Sequence, residues 1–293
     1  MRMIQLIATT AIAMSLAAPA YAEIDWAKVD QAIGRPSTAQ PDDVHRFGLP
    51  RTDLHVTLDG VVIKPTLALG SWLAFQPMGA EAMVMGDLVL TQGEVNPVMK
   101  RLTESGIDIT ALHNHLLRSQ PATLYMHVSG HGDPVKLAET LHAALALSKT
   151  PLGKPMASAP QAIDLDTTAL DSIIGSKGKA NGGVYQFSLP RAETITDSGM
   201  AVPVSMGTAI AINFQPTGKG KAAITGDFVL IATEVNPVLH ALRENGIDVT
   251  AIHNHMLTDN PRLFFMHFWA NADAKMLAQG LKAALDKINL QHS

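Results

Sequence analysis

The chain repeats itself 140 residues later. Gly86-Asp87 returns as Gly226-Asp227, and Glu94-Val95-Asn96-Pro97-Val98 returns as Glu234-Val235-Asn236-Pro237-Val238. Gly106-Ile107-Asp108 returns as Gly246-Ile247-Asp248, His113-Asn114-His115 as His253-Asn254-His255, and Met126-His127 as Met266-His267. About half of the positions between these blocks are identical, with no gap. Leu49-Pro50-Arg51 and Leu189-Pro190-Arg191 keep the same offset, while Phe75-Gln76-Pro77 meets Phe214-Gln215-Pro216 after a one-residue shift. A period this long describes two duplicated domains and not a solenoid of small units. The repeats are expected over 23–147 and 166–293, joined by a linker over 148–165 rich in Pro, Ala, Ser and Lys.

Within the first copy, 55–63, 67–76 and 82–90 read as strands, the first two joined by a turn around Lys64-Pro65. Asn96-Pro97 reads as a helix start, because Asn can cap free N–H groups and Pro suits the first turn. Gly106 fits the position just beyond the helix. Strands are expected over 107–117 and 123–129, with a turn over 118–122, and a closing helix over 133–147. The second copy repeats this, ending in a helix over 273–288. The implied fold is α+β: two antiparallel-rich sheets, each with helices on one face, packed as a pseudo-dimer.

Six of the twelve histidines fall in two matching triplets. His113 and His115 are two apart on an expected strand and share a face. His127 lies on the next strand, and a hairpin in the right register brings it alongside them. Three neutral imidazoles suit a transition metal, and a catalytic ion often keeps a fourth position open. His253, His255 and His267 repeat the set. Glu94 and Glu234, beside the helix starts, are candidate general bases or fourth ligands. Zinc is the first expectation for the ion and copper the second.

A plainer account stands beside this one. The histidines could complete a buried hydrogen-bond network or form a metal-free ligand site. A carboxylate beside a helix N-terminus is favoured by the helix dipole alone, and Asp87 and Asp227 read as strand ends. His131 is opposite Asn271 and His55 opposite Ile195. These pairs make His131 an accessory-ligand candidate and His55 a surface residue. Met83, Met85, Met126 and Met266 read as core.

Composition narrows the functional classes. The chain has 293 residues and no cysteine, which excludes disulfides, thiolate metal sites, cysteine nucleophiles and a lipidated N-terminal cysteine. A net charge of −4 argues against a nucleic-acid partner. Residues 1–22 read as a cleavable leader: Arg2, an apolar run over 4–18 too short to span a bilayer, and Ala20-Tyr21-Ala22 before Glu23. That places the mature protein in a periplasm or outside the cell, without stable membrane insertion. No nucleophile elbow, His-Glu-x-x-His helix or phosphate loop is present.

The doubled Glu-Val-Asn-Pro-Val block followed by Gly-Ile-Asp-x-Thr-Ala-x-His-Asn-His and Met-His resembles the LppY/LpqO family of bacterial exported proteins. The resemblance covers nearly all of the expected mature chain and implies kinship without chemistry, since the family is a domain of unknown function. Its lipoprotein members are anchored through a cysteine that this chain lacks. The leading expectation is an exported metal-dependent hydrolase or lyase. The alternatives are a non-enzymatic module for a small-molecule ligand or metal ion, and a structural envelope protein.

Overall fold

The computed structural model describes residues 23–153 and 161–291. The expected leader over 1–22 and the middle of the expected linker lie outside the described residues. The first repeat runs α1 (Trp26–Ile33), β1 (Thr38–Ala39), β2 (His45–Pro50), β3 (Thr57–Leu58), β4 (Val61–Val62), α2 (Pro65–Ala68), β5 (Gly70–Met78), β6 (Glu81–Thr91), α3 (Gln92–Glu104), β7 (Asp108–His113), β8 (Thr123–Gly132) and α4 (Pro134–Leu145). The second runs α5 (Thr167–Ile174), β9 (Lys179–Asn181), β10 (Val184–Leu189), β11 (Thr196–Asp197), β12 (Met200–Ala201), β13 (Ile210–Gly218), β14 (Lys221–Ile231), α6 (Val235–Glu244), β15 (Asp248–His253), β16 (Leu263–Asp273) and α7 (Ala274–Leu285), with one turn of 3-10 helix at Val204–Met206.

Each repeat builds one six-stranded sheet, in the orders β1-β2-β5-β6-β8-β7 and β9-β10-β13-β14-β16-β15, and every neighbouring pair is antiparallel. The α+β pseudo-dimer expected from the sequence is the observed architecture. Strand alternation sorts the faces. Along β6, Ala82, Val84, Leu88 and Leu90 pack with α1, α3 and α4 in one apolar core. Asp87 and Val89 take the opposite face, beside their cross-strand partners His127 and Tyr125 on β8. That second face meets the other repeat, and Val89 and Tyr125 share a cluster with Val184, Ala223 and Trp269. The order of layers is therefore helices, sheet, sheet, helices, with both histidine-bearing faces turned inward.

Three local expectations are corrected. The helix expected to open at Asn96-Pro97 begins at Gln92, because Thr91 and Glu94 form a capping box that satisfies the first turn. Pro97 is tolerated inside it, since the carbonyl it leaves without an N–H belongs to exposed Gly93. In the second repeat Thr91 is replaced by Ile231, which has no capping hydroxyl, and α6 starts only at Val235. The strand expected over 55–63 is a two-rung hairpin of β3 and β4. The turn at Lys64-Pro65 is the start of the short helix α2, with Pro65 at its first position.

The two repeats are tied by reciprocal bonds. β7 is bulged between Ile109 and Ala111, and β15 between Val249 and Ala251. Each bulge re-aims a threonine across the interface. The Thr110 hydroxyl donates to the His255 carbonyl at 2.6 Å, and the Thr250 hydroxyl donates to the His115 carbonyl at 2.6 Å. The same pair of bonds read in both directions is a local two-fold axis between two halves of one chain.

Gly86 and Gly226 are placed by close approach. A Cβ on Gly226 would lie 1.9 Å from the Ala211 carbonyl oxygen, and one on Gly86 would lie 2.8 Å from that of Trp72. Neither backbone can yield without opening the ladder that carries Asp87 or Asp227. Gly226→Ala is expected to destabilise the fold by about 3 kcal/mol, at the upper end of overpacking costs. Urea unfolding followed by circular dichroism checks this.

Candidate metal centre

The six histidines of the two triplets do not form two separate sites. They meet in one cluster on the local two-fold axis. His113 and His253 stack across it with ring centroids 3.5 Å apart. The equivalent pairs His115 with His267 and His127 with His255 are 3.7 and 3.8 Å apart. Two aromatic rings floor the cluster, with Tyr125 3.3 Å from the His115 ring and Phe265 3.4 Å from that of His255.

Strand register explains the convergence. His113 pairs with Tyr125, Ala111 with His127 and Asp87 with His127, so all of these point to the inner face. β7 ends at His113, so His115 does not reach the centre as the next strand residue. The chain has already left the sheet, and His115 arrives from the following loop.

The donor atoms lie at ligand spacing. His113 and His127 bring their Nε2 atoms to 3.0 Å, and His253 and His255 bring theirs to 3.1 Å. Two nitrogens at zinc-ligand distance are about 3.4 Å apart at a tetrahedral angle and about 2.9 Å apart at a right angle. Three sets of donor atoms fall within 4.8 Å of one another: His113, His127, His253 and His255; His113, His115 and His267; and Asp227, His255 and His267.

Asp87 and Asp227 complete the centre, and sequence reasoning had set them aside as strand ends. Both sit mid-strand. Asp87 Oδ2 lies 3.7 Å from His115 Nε2, and Asp227 Oδ2 lies 3.4 Å from His255 Nε2. The available signal was their repetition in both copies beside the close-approach glycine. The sequence alone leaves the strand-end reading open, because Asp is also common where a strand gives way to a turn.

Of the eight buried side-chain atoms left without a hydrogen-bond partner among the described residues, five lie in this cluster. Asp87 Oδ1, Asp227 Oδ1, His115 Nε2, His253 Nδ1 and His267 Nε2 are buried without a hydrogen-bond partner among the described residues. Such atoms cost roughly 1–3 kcal/mol each unless something binds them. His267 defines its own tautomer: its Nδ1–H donates to the Gly226 carbonyl at 2.7 Å, which leaves a bare lone pair on Nε2. A histidine held by a backbone carbonyl through one nitrogen and open at the other is the usual form of a metal ligand.

The electrostatics agree. Burial pushes His113 down to about 4 and His267 down to about 3. Burial, with neighbouring histidines adding to it, holds His115, His127, His253 and His255 well below the ordinary value. All six rings are neutral at pH 7, the form that ligates. Burial raises Asp87 to about 8 against the opposing pull of Arg46, and burial together with Asp87 raises Asp227 well above the usual carboxylate range. A cation among them reverses that preference, since an ion's charge is the largest in such a site. Six imidazoles and two carboxylates with orphaned lone pairs are a donor set that fits a transition metal.

Glu94 and Glu234 are not in this centre. The Arg51 guanidinium donates to both Glu94 carboxylate oxygens at 2.9 and 3.1 Å, and the backbone N–H groups of Thr91 and Lys149 donate at 2.8 and 2.9 Å. Arg191 holds Glu234 the same way at 2.6 and 3.1 Å, with the Ile231 and Asn289 N–H groups at 2.9 and 3.2 Å. The proposed bases are corrected to structural clamps that fasten a helix start to the loop after β2 or β10. Each arginine also caps the Val89 or Val229 carbonyl, at 2.6 and 2.7 Å. His131 is exposed on the far part of β8 and is not an accessory ligand, and His55 is exposed as expected.

The centre opens into a cavity of about 860 Å³ lined by Asp87, Asp227, His115, His255 and His267 among others. A family model described as Domain of Unknown Function (DUF1259) matches residues 27–147 and again 168–287. The chain belongs to that family. None of the curated proteins compared matches it. Two solved structures align over most of its length: a trimeric bacterial microcompartment shell protein PduB, and EtuB from Clostridium kluyveri. The first is 12% identical over 87% of this chain and 91% of that one, with a TM-score of 0.22. The second is 9% identical over 85% and 88%, with a TM-score of 0.21. Overlaps this loose carry no argument about this family member.

Removing one partner of the clamp leaves a buried charge uncompensated. Arg51→Met is expected to cost about 3–5 kcal/mol, read by urea unfolding, with metal uptake of the folded fraction unchanged. Burial alone would raise the Glu94 pKa, but the bonds from Arg51, Thr91 and Lys149 hold it below the ordinary value. Its stabilising contribution is therefore present above the unfolded carboxylate pKa and lost as pH falls through the folded one. Glu94→Gln is expected to flatten the acid limb of the stability profile below about pH 5; an unchanged acid limb would remove the clamp from that account.

Proposed function

We propose that this member of the DUF1259 family is an exported metalloprotein, and that its single composite centre performs metal-dependent hydrolysis or elimination on a small molecule. The observation that carries the reading is the set of five orphaned buried polar atoms, drawn from both repeats and gathered beside a cavity. Hydrogen-bond networks satisfy their members; this one leaves lone pairs aimed inward.

Zinc suits the mixture of imidazole and carboxylate, with copper next. A bound ion of this class supplies a Lewis acid and lowers the pKa of a water on it. The protein's own groups then have defined tasks. His113 and His253, in the middle of the stack, would ligate, and His115, His127, His255 and His267 would close the shell from both sides. Asp87 and Asp227, lining the cavity, would ligate or accept the proton of the attacking group. Eight donors exceed what one tetrahedral ion takes, and the local two-fold axis divides them into equivalent sets, so the site has room for two ions. Export rests on the pattern of residues 1–22, and the doubled Glu-Val-Asn-Pro-Val and His-Asn-His blocks support kinship with LppY/LpqO proteins. Among the described residues, no helix is long and apolar enough to cross a membrane.

Elemental analysis of protein purified without a histidine tag is expected to find at least one equivalent of zinc or copper. His113→Ala and Asp87→Asn are expected to weaken its affinity by about a hundredfold or more, beyond typical outer-shell effects. Less than about a tenth of an equivalent, with no uptake on titration, would end the metal reading. For export, intact-mass measurement of the expressed protein is expected to place the mature N-terminus at Glu23. A chain retaining residues 1–22 would count against it.

A further inference from the structure

The local two-fold axis is broken at one edge of the cavity. Arg46 on β2 lines it, and its guanidinium carbon lies 4.2 Å from the centroid of the Trp72 ring. Its counterpart in the second repeat is Gln186, and the counterpart of Trp72 is Ala211: Trp72 pairs with Asp87, and Ala211 with Asp227. One repeat therefore presents a stacked cation where the other presents an amide.

Arg46 is partly buried, and desolvation lowers its pKa to about 10 against the pull of Asp87, yet it remains charged at pH 7. It donates one hydrogen bond to the Ser205 carbonyl and forms no ion pair with any described residue. The Ser205 hydroxyl, on the same cavity wall, is buried without a partner. A partly buried guanidinium short of an anion next to an orphaned hydroxyl is half of a recognition site. Arg46 is the cavity's single lysine or arginine, so the charge it matches is a single negative one. The remaining wall includes the exposed Asp42 carboxylate, the hydroxyls of Thr66, Ser188 and Thr225 and the amides of Gln186 and Asn213. A volume of about 860 Å³ accommodates a small organic molecule.

We infer that the cavity binds a small hydroxylated carboxylate. Its carboxylate sits on Arg46 and the Ser205 hydroxyl, and its hydroxyl-bearing end faces Asp87, Asp227 and the histidines. The placement of that far end rests on the metal reading; the anion subsite does not.

The test is calorimetric titration of the full mature protein with lactate, glycerate, tartrate and gluconate, and with glycerol and glucose as neutral counterparts, metal content being measured on the same samples. At least one acid is expected to bind saturably, with the neutral compounds at least tenfold weaker. Arg46→Gln, which copies the second repeat, is expected to reduce that binding at least tenfold at unchanged metal content. Ser205→Ala, which removes one hydroxyl and no packing anchor, is expected to reduce it about tenfold or more, as for one hydrogen bond to a charged group. Failure of all four acids to bind, equal binding of the neutral compounds, or undiminished binding by folded Arg46→Gln or Ser205→Ala overturns the assignment. Acid binding by protein that takes up no metal would leave the anion subsite standing and remove the metal centre.

Discussion

Desolvation of eight polar side chains between two sheets is the condition under which this molecule exists. Hydrophobic burial on the outer faces of the sheets holds each repeat together, but it does not explain why the inner faces carry six imidazoles and two carboxylates. A buried ionised carboxylate or imidazolium costs far more than a hydrogen bond returns. The protein lowers that cost by keeping the rings neutral and by setting some tautomers with backbone carbonyls, as His267 is set by Gly226. At Asp87 and Asp227 burial raises the carboxyl pKa instead, and one oxygen of each is left without a hydrogen-bond partner among the described residues. Stability alone would favour replacing such groups with valine or leucine, so their retention in both repeats points to something they hold.

Mechanical support for the centre comes from features without catalytic chemistry. The Arg51–Glu94 and Arg191–Glu234 clamps lock each helix start to a neighbouring loop, and the close-approach glycines fix the strands carrying Asp87 and Asp227. The bulged threonines then set one repeat against the other at the level of His115 and His255. The precision of the cluster derives from rigid sheets and their bonds, which is where precise sites are best built.

The duplication and the α+β class are legible in the sequence, and so is the approach of His127 to His113 across a hairpin. These features depend on local periodicity and exact repetition, which are written along the chain. The meeting of the two triplets is not legible there, because contact between repeats is a tertiary fact with no local signature. Glu94 reads as a base because a capping carboxylate and a catalytic one look alike until the partner is known. That partner, Arg51, lies 43 residues upstream. The helix start moved for a similar reason: Asn96-Pro97 has good capping chemistry, but Thr91 with Glu94 satisfies two backbone groups at once and wins. The alternation of Tyr185-Gln186-Phe187-Ser188-Leu189 makes β10 legible in the sequence, whereas Gly48 and Pro50, both poor strand formers, leave β2 without a clear signal.

Fusion of the two repeats explains how a two-fold centre can acquire a direction. In a dimer of identical chains every residue near the axis appears twice, so an arginine at one rim of the cavity brings a second at the other. Two guanidiniums would then face two carboxylates, and the site would be electrostatically even. With both halves in one chain, the histidines and aspartates can stay paired while the rim diverges, Arg46 and Trp72 against Gln186 and Ala211. The donor set keeps the symmetry that a shared ion would use. The rim gains an asymmetry that can orient an elongated ligand with its charged end away from the centre. Duplication followed by divergence at the rim is thus a physical route from a symmetric binding site to one that distinguishes the two ends of its ligand.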